Sequence, residues 1–254
     1  MRALGAALAL GIAVPAGSAE PKLITDLSQS RIDISYRFAG AELLVFGAVQ
    51  YPGARTPDDV PGIAVVLRGP AEPVIVRRKA RVAGLWVNTA SQRFESVPGY
   101  YAAALTAPVR DLLDERNAAI HEIGLQHLQL SPADYAPPEE ARSFADGLVG
   151  LRERRGLYVE QPQGVRVTSN TLYSARLPVP SAVPVGEYEV QIFLIRRGQV
   201  LARSSVPIAV GKTGFERAVF NFAQERPLLY GLSAVAAAGL FGWGAGVVTR
   251  RRRA

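Results

Sequence analysis

The chain has 254 residues, 48% of them hydrophobic and 20% charged, and contains no cysteine. That balance suits one sizeable core or two small ones and excludes disordered, collagen-like and disulfide-stapled classes. The formal charge of +7 is concentrated at Arg2 and Arg250–Arg253, leaving the long middle of the chain nearly balanced. Basic ends beside apolar runs are signals of membrane topology, and nucleic acid is not an expected partner.

In chain order, residues 1–19 read as a secretory signal peptide. Arg2 supplies the positive start, Ala3–Val14 the apolar stretch and Gly17-Ser18-Ala19 the small-residue cleavage site. Residues 20–213 then form the expected exported domain. Ile32, Ile34, Tyr36 and Phe38 alternate with Arg31, Asp33, Ser35 and Arg37, the period of a half-buried strand. Leu43–Val49 and Ile63–Leu67 are nearly continuous apolar runs and read as central strands. Val74–Arg78, Val82–Val87 and Tyr100–Leu105 continue the series. The period changes at Pro108. Val109, Leu112, Leu113, Ala119, Ile120 and Ile123 fall at helical spacing, and Glu139–Arg155 predicts a second helix ended by Gly156. The reading is a helical hairpin, 108–156, inserted among strands.

Strand signals resume at Leu157. Tyr188, Val190, Ile192 and Leu194 predict inward positions, with a turn near Gly198 and a return through Val206, Ile208 and Val210. Residues 157–210 are too few to close a sandwich alone, so late strands should pair with early ones. The expected fold class is mainly β, an Ig-like or otherwise elaborated antiparallel β-sandwich with the helical insertion and one C-terminal transmembrane helix. Residues 214–227 predict a juxtamembrane helix. Leu228–Thr249 carries no charge, and about 33 Å of helix would cross a hydrocarbon core of about 30 Å. Arg250, Arg251, Arg252 and Arg253 form a basic tail, 250–254, that the positive-inside rule holds in the cytoplasm. The expected location is a single-pass protein of the bacterial inner membrane, its bulk in the periplasm. Ala234, Ala238, Gly242 and Gly246 line one face of the span, a spacing suited to helix packing against a copy of the chain or another membrane protein.

The search for catalytic chemistry excludes more than it finds. Without cysteine there is no thiolate catalysis or cysteine-based metal site. His121 and His127 are six apart on the expected helix and point about 240° apart, so one helix face cannot present both to a metal. No G-x-S-x-G elbow occurs, and Gly211-Lys212-Thr213 lacks the first glycine of a P-loop because Val206 stands there. No cofactor is expected. The one concentrated polar feature is Arg77, Arg78, Lys79 and Arg81 followed by Trp86 and Asn88. It reads either as a site for a small oxyanion, an acidic partner or anionic lipid headgroups, or as a solvated hairpin turn with Trp86 in the core.

The motifs Leu44-Val45-Phe46-Gly47-Ala48, Arg68-Gly69-Pro70, Gly84-Leu85-Trp86-Val87-Asn88, Pro98-Gly99-Tyr100-Tyr101, Gly156-Leu157-Tyr158, Pro184-Val185-Gly186-Glu187-Tyr188 and Lys212-Thr213-Gly214-Phe215-Glu216-Arg217 follow one another in an order that resembles the alphaproteobacterial putative transmembrane protein family. The resemblance covers nearly the whole mature chain. It implies a single-pass inner-membrane protein of uncharacterised function and carries over no functional residues. It also implies relatives encoded beside permeases similar to sulfite exporters. The leading expectation is therefore a non-enzymatic accessory protein that works with a membrane partner such as an anion permease. The first alternative is a periplasmic module that binds or senses a small anion at Arg77–Asn88; the second is a hydrolase.

Overall fold

The computed structural model describes residues 21–34, 40–54, 56–212, 219 and 222–251, without the side chains of 54, 212, 241 and 244–251. The signal peptide expected over 1–19, residues 214–218, 220 and 221 of the juxtamembrane helix expected over 214–227, and Arg252 and Arg253 lie outside the described residues.

In chain order the strands are β1 (Lys22–Leu27), β2 (Arg31–Ile34), β3 (Ala41–Gln50), β4 (Gly62–Arg68), β5 (Ala71–Val82), β6 (Leu85–Pro98) and β7 (Tyr101–Leu105). A helical segment follows: α1 (Val109–Leu112), α2 (Glu115–His121), a 3-10 turn (Leu125–His127) and α3 (Pro138–Arg154). Then come β8 (Tyr158–Gln161), β9 (Val165–Thr168), β10 (Leu172–Val179), β11 (Gly186–Arg196), β12 (Gln199–Lys212) and the C-terminal helix α4 (Pro227–Arg251).

The strands build two sheets that share one core, and a separate ribbon. One sheet has the order β1-β3-β10-β9, the other β2-β12-β11-β4-β7-β8, and β5 pairs only with β6. Late strands do pair with early ones: β10 with β3, β11 with β4, and β12 with β2. Most pairings are antiparallel, but β2–β12 and β7–β8 are parallel, so the larger sheet is mixed where an antiparallel one was expected.

The apolar runs have a direct cause. On one face of the larger sheet, Ile63, Val65, Leu67, Val190, Ile192 and Leu194 meet Leu43, Val45, Tyr173, Ala175 and Leu177 of the smaller sheet in a single buried cluster. On the other face Val109, Leu113, Ala118 and Ile123 of the helical segment cover the same strands and join that cluster. Strands covered on both sides read as continuous hydrophobic runs rather than alternating ones. Close approach of β1 to β3 needs Gly47, because a Cβ there would strike the Ile24 carbonyl and the Tyr173 ring.

Buried tyrosines tie the layers together, each with its hydroxyl satisfied. Tyr101 donates to Glu122 O at 2.9 Å, Tyr158 to Pro98 O at 2.8 Å and Tyr188 to Pro184 O at 2.6 Å. Tyr100 donates to Pro178 O, joining the residue just before β7 to β10. Burial pushes the Tyr158 hydroxyl up to about 12 and raises Tyr100, Tyr101 and Tyr188 as well, since the phenolate would lose its hydration.

Two expected elements are corrected. The helix over Val109–Ile123 is broken into α1 and α2, because Leu113 turns extended and bridges to Gly198. The segment 108–156 is thus a broken helical layer followed by α3, not a two-helix hairpin. The strand expected over Val82–Val87 contains a turn: Ala83 and Gly84 both have positive φ, 48° and 86°, the geometry of a tight two-residue hairpin loop.

Candidate functional site

The ribbon β5–β6 carries every residue of the basic cluster. Directly paired residues share a face, so the register sorts the side chains. Val74 faces Phe94, and Val76 faces Gln92. With Val97, Phe144 and Leu148, the residues Val76 and Phe94 form a small second core between ribbon and α3. Arg78 points to this same face. Its Nη2 donates to Ser143 Oγ at 3.0 Å, and its guanidinium lies 4.5 Å over the Phe144 ring. A register shift follows Arg78, and Thr89 Oγ1 bonds back to Arg78 O at 3.4 Å.

Beyond α3 the two faces of the ribbon diverge in chemistry. One face pairs Ala80 with Val87 and Val82 with Leu85; the other pairs Arg77 with Ser91, Lys79 with Asn88 and Arg81 with Trp86. All of these side chains except Ala80 are exposed, Leu85 by 70% and Trp86 by 69%. Trp86 is therefore outside the core, correcting the solvated-turn reading that placed it inside. The structure brings Arg77, Lys79, Arg81, Trp86 and Asn88 together on an open face and sets Arg78 on the opposite one. Arg81 Nε reaches only Gly84 O, at 3.3 Å, at the turn.

The root of the ribbon is firmly held. Gly69 N donates to Tyr100 O and Gly99 N to Pro70 O, both at 2.8 Å. Arg152 Nη2 meets Glu72 Oε1 at 2.5 Å, fastening the last turn of α3 to the start of β5.

A cleft of about 880 Å³ lies between α3 and the α1–α2 layer. His127 enters it from the 3-10 turn, with Nε2 3.4 Å from Glu115 Oε2 and Nδ1 buried without a partner. Glu160 of β8 accepts from Leu125 N at 2.8 Å. Arg110, Arg142, Asp146 and Glu153 complete a lining of mixed charge. No hydroxyl or thiol side chain is among the described lining residues, so the polar groups the cleft offers are carboxylates, an imidazole, guanidiniums and amides. His121 is elsewhere, stacked on Phe193 with ring centroids 5.4 Å apart, so the two histidines do not share a site. Among the described residues no cluster of three or more His, Asp or Glu is arranged to hold a metal.

The remaining feature is α4. Its backbone is helical over 25 residues, and its described side chains are exposed, Leu228 by 83% and Trp243 by 73%. Ala234, Ala238 and Gly242 are uncovered, and Gly246 follows on the same helix outside the residues described with side chains. Arg250 and Arg251 end its last turn. Among the described residues, no helix is long and apolar enough to cross a membrane. The transmembrane helix expected over 228–249 is therefore unsupported on this criterion.

These parts define a class: a mainly β body of two packed sheets, with a projecting amphipathic ribbon and an uncovered apolar C-terminal helix. The profile of the family described as "Putative transmembrane protein (Alph_Pro_TM)" matches residues 22–251, and the chain belongs to that family. A comparison with curated proteins finds no match.

Proposed function

We propose that this chain is a single-pass, membrane-anchored accessory protein of the bacterial inner membrane, with α4 as its anchor and the β body on the periplasmic side. The observation that supports this reading is the state of α4. From Leu228 to Thr249 the sequence has no charged residue, yet its described side chains find no cover in the body. A helix apolar on all sides needs an apolar surrounding, and a bilayer supplies one. The basic residues Arg250–Arg253 then set the cytoplasmic end. The face of Ala234, Ala238, Gly242 and Gly246 suits close packing against a helix of a partner, such as an anion permease, or of a second copy.

The test is alkaline carbonate extraction of native membranes, followed by protease treatment of spheroplasts. The full chain should stay with the membrane, and the body should be digested from outside while a C-terminal tag is protected. Release into the carbonate supernatant would end the anchor reading. Cross-linking and gentle extraction then test the partner: recovery of a permease in near-stoichiometric amount supports the accessory role, and its loss on Gly242→Leu and Gly246→Leu locates the contact.

A further inference from the structure

The ribbon tip has a composition that folding does not explain. Val82, Leu85 and Val87 continue the apolar stripe of Val74, Val76 and Phe94 past the point where α3 covers it, and none of the described residues closes over them. The reverse face sets Arg77, Lys79 and Arg81 beside Trp86. A hairpin tip that enters a lipid interface end-on sets both of its faces among the headgroups. There the apolar side chains reach the acyl boundary, while tryptophan and the cations of the other face meet the headgroups and anionic phosphates.

Position in the fold points the same way. β12 is the last strand before α4, and its Val210 pairs with Gly186. A Cβ built on Gly186 would lie 3.0 Å from Pro70, the residue immediately before β5. The ribbon thus leaves the body at the end from which the chain departs toward α4. The ribbon is about 40 Å long at about 3.3 Å per residue. The connection 213–226 is helical at 222–225 and so spans less than the roughly 45–50 Å of a fully extended chain, and an anchored body keeps the tip within reach of the bilayer.

We infer that the β5–β6 tip, Arg77–Asn88, is a second membrane contact, docking on the surface of an anionic bilayer with Val82, Leu85 and Val87 inserted at the interface. This rests on the anchor reading, and the two tryptophans of the chain, Trp86 and Trp243, separate the claims. Full-length Trp243→Phe protein is reconstituted into vesicles of phosphatidylcholine with phosphatidylglycerol, leaving Trp86 as the only indole. Its emission should shift to the blue and be quenched by lipids brominated near the headgroup end of the acyl chain. Its quenching by aqueous iodide should fall at least about threefold relative to detergent. The Val82→Ser, Leu85→Ser double variant should restore iodide access. The triple variant Arg77→Gln, Lys79→Gln, Arg81→Gln should lose contact with anionic vesicles.

A Trp86 that stays open to iodide and blind to brominated lipid overturns the inference. Shielding from iodide without quenching by brominated lipid also overturns it, and indicates a protein partner or a second copy. In the parallel Trp86→Phe chain, Trp243 reports on α4. If brominated lipid quenches Trp243 but not Trp86, the anchor stands and the ribbon contact falls; if neither is quenched, the anchor reading falls first.

Discussion

The two-sheet body and the ribbon are made of similar strand sequences, but they differ in what lies on either side of each strand. β4 of the body has a sheet on one face and the helical layer on the other, and Ile63, Val65 and Leu67 are fully buried. β5 of the ribbon has α3 on one face of its first half and, among the described residues, no cover beyond, so Val82 is exposed although it continues the apolar stripe of Val74 and Val76. Hydrophobicity along a strand thus reports burial only where a second layer exists to cover it. Where none does, the same residues are free to meet another surface.

The largest expected effect comes from the body. Leu67→Ala removes a fully buried side chain from the centre of the main core and should cost about 2–5 kcal/mol of global stability in denaturant unfolding. Phe94→Ala removes an equally buried ring, but from the small cluster under the ribbon. If the ribbon and α3 form a separable unit, amide exchange in β5, β6 and α3 should accelerate while β4 and β11 keep their protection. A uniform loss across both regions would show that the two cores unfold as one and would remove the distinction drawn above.

Period and composition made the body legible and left the ribbon obscure. Alternation through Tyr188, Val190 and Ile192 located β11, and the apolar run of β4 arises from the layers on both its faces; the run of β3 located a strand that buries Leu43, Val45 and Val49 but leaves Phe46 exposed. The pairing of late with early strands followed from the shortage of residues after Leu157. A hairpin turn within Arg77–Asn88 is one of the two readings the sequence offers, but Val82, Leu85, Trp86 and Val87 are strong strand formers that also suggest a strand running through Ala83-Gly84. The break at Leu113 was hidden because helical spacing continues through it, and only contact with Gly198 pulls it extended. His127 and Glu160 of the cleft are far apart in sequence and meet through the parallel pairing of β8 with β7, which no local pattern announces. The basic cluster beside Trp86 admits both an exposed and a buried indole, and only the register of the ribbon decides for the exposed one.

A smaller effect lies at the join between the two regions, where Tyr158 donates to Pro98 O at the foot of the ribbon. Tyr158→Phe should cost about 1 kcal/mol through the lost hydrogen bond. It should also alter the alkaline limb of stability. With the folded group held at about 12 against 10.0 for the free side chain, the unfolded chain loses its proton first, so native stability falls as pH rises between those values. The variant should show a shallower loss over that interval in pH-dependent melting, and an unchanged slope would mean Tyr158 is not among the groups that set it. At the acid side His121 acts in the same sense with opposite direction. Burial, and then the Arg203 charge, hold its pKa below 6.5, so the unfolded chain takes up the proton first and stability declines as pH falls below 6.5. His121→Gln should flatten that decline.

The smallest effect on folding is expected where the exposed apolar residues are most concentrated. Leu85→Ser at the tip removes a side chain that is already 70% exposed, so its change in stability should stay within about 0.5 kcal/mol in either direction. Compared with Leu67→Ala, this separates two uses of leucine in one chain, one contributing to the core and one contributing to contact with something outside it. A Leu85→Ser loss of about 2 kcal/mol or more would place the tip in a hidden core and make the ribbon an ordinary part of the fold. A near-zero change, together with loss of lipid quenching at Trp86, would mean the leucine serves the membrane surface and leaves the folded state indifferent to its absence.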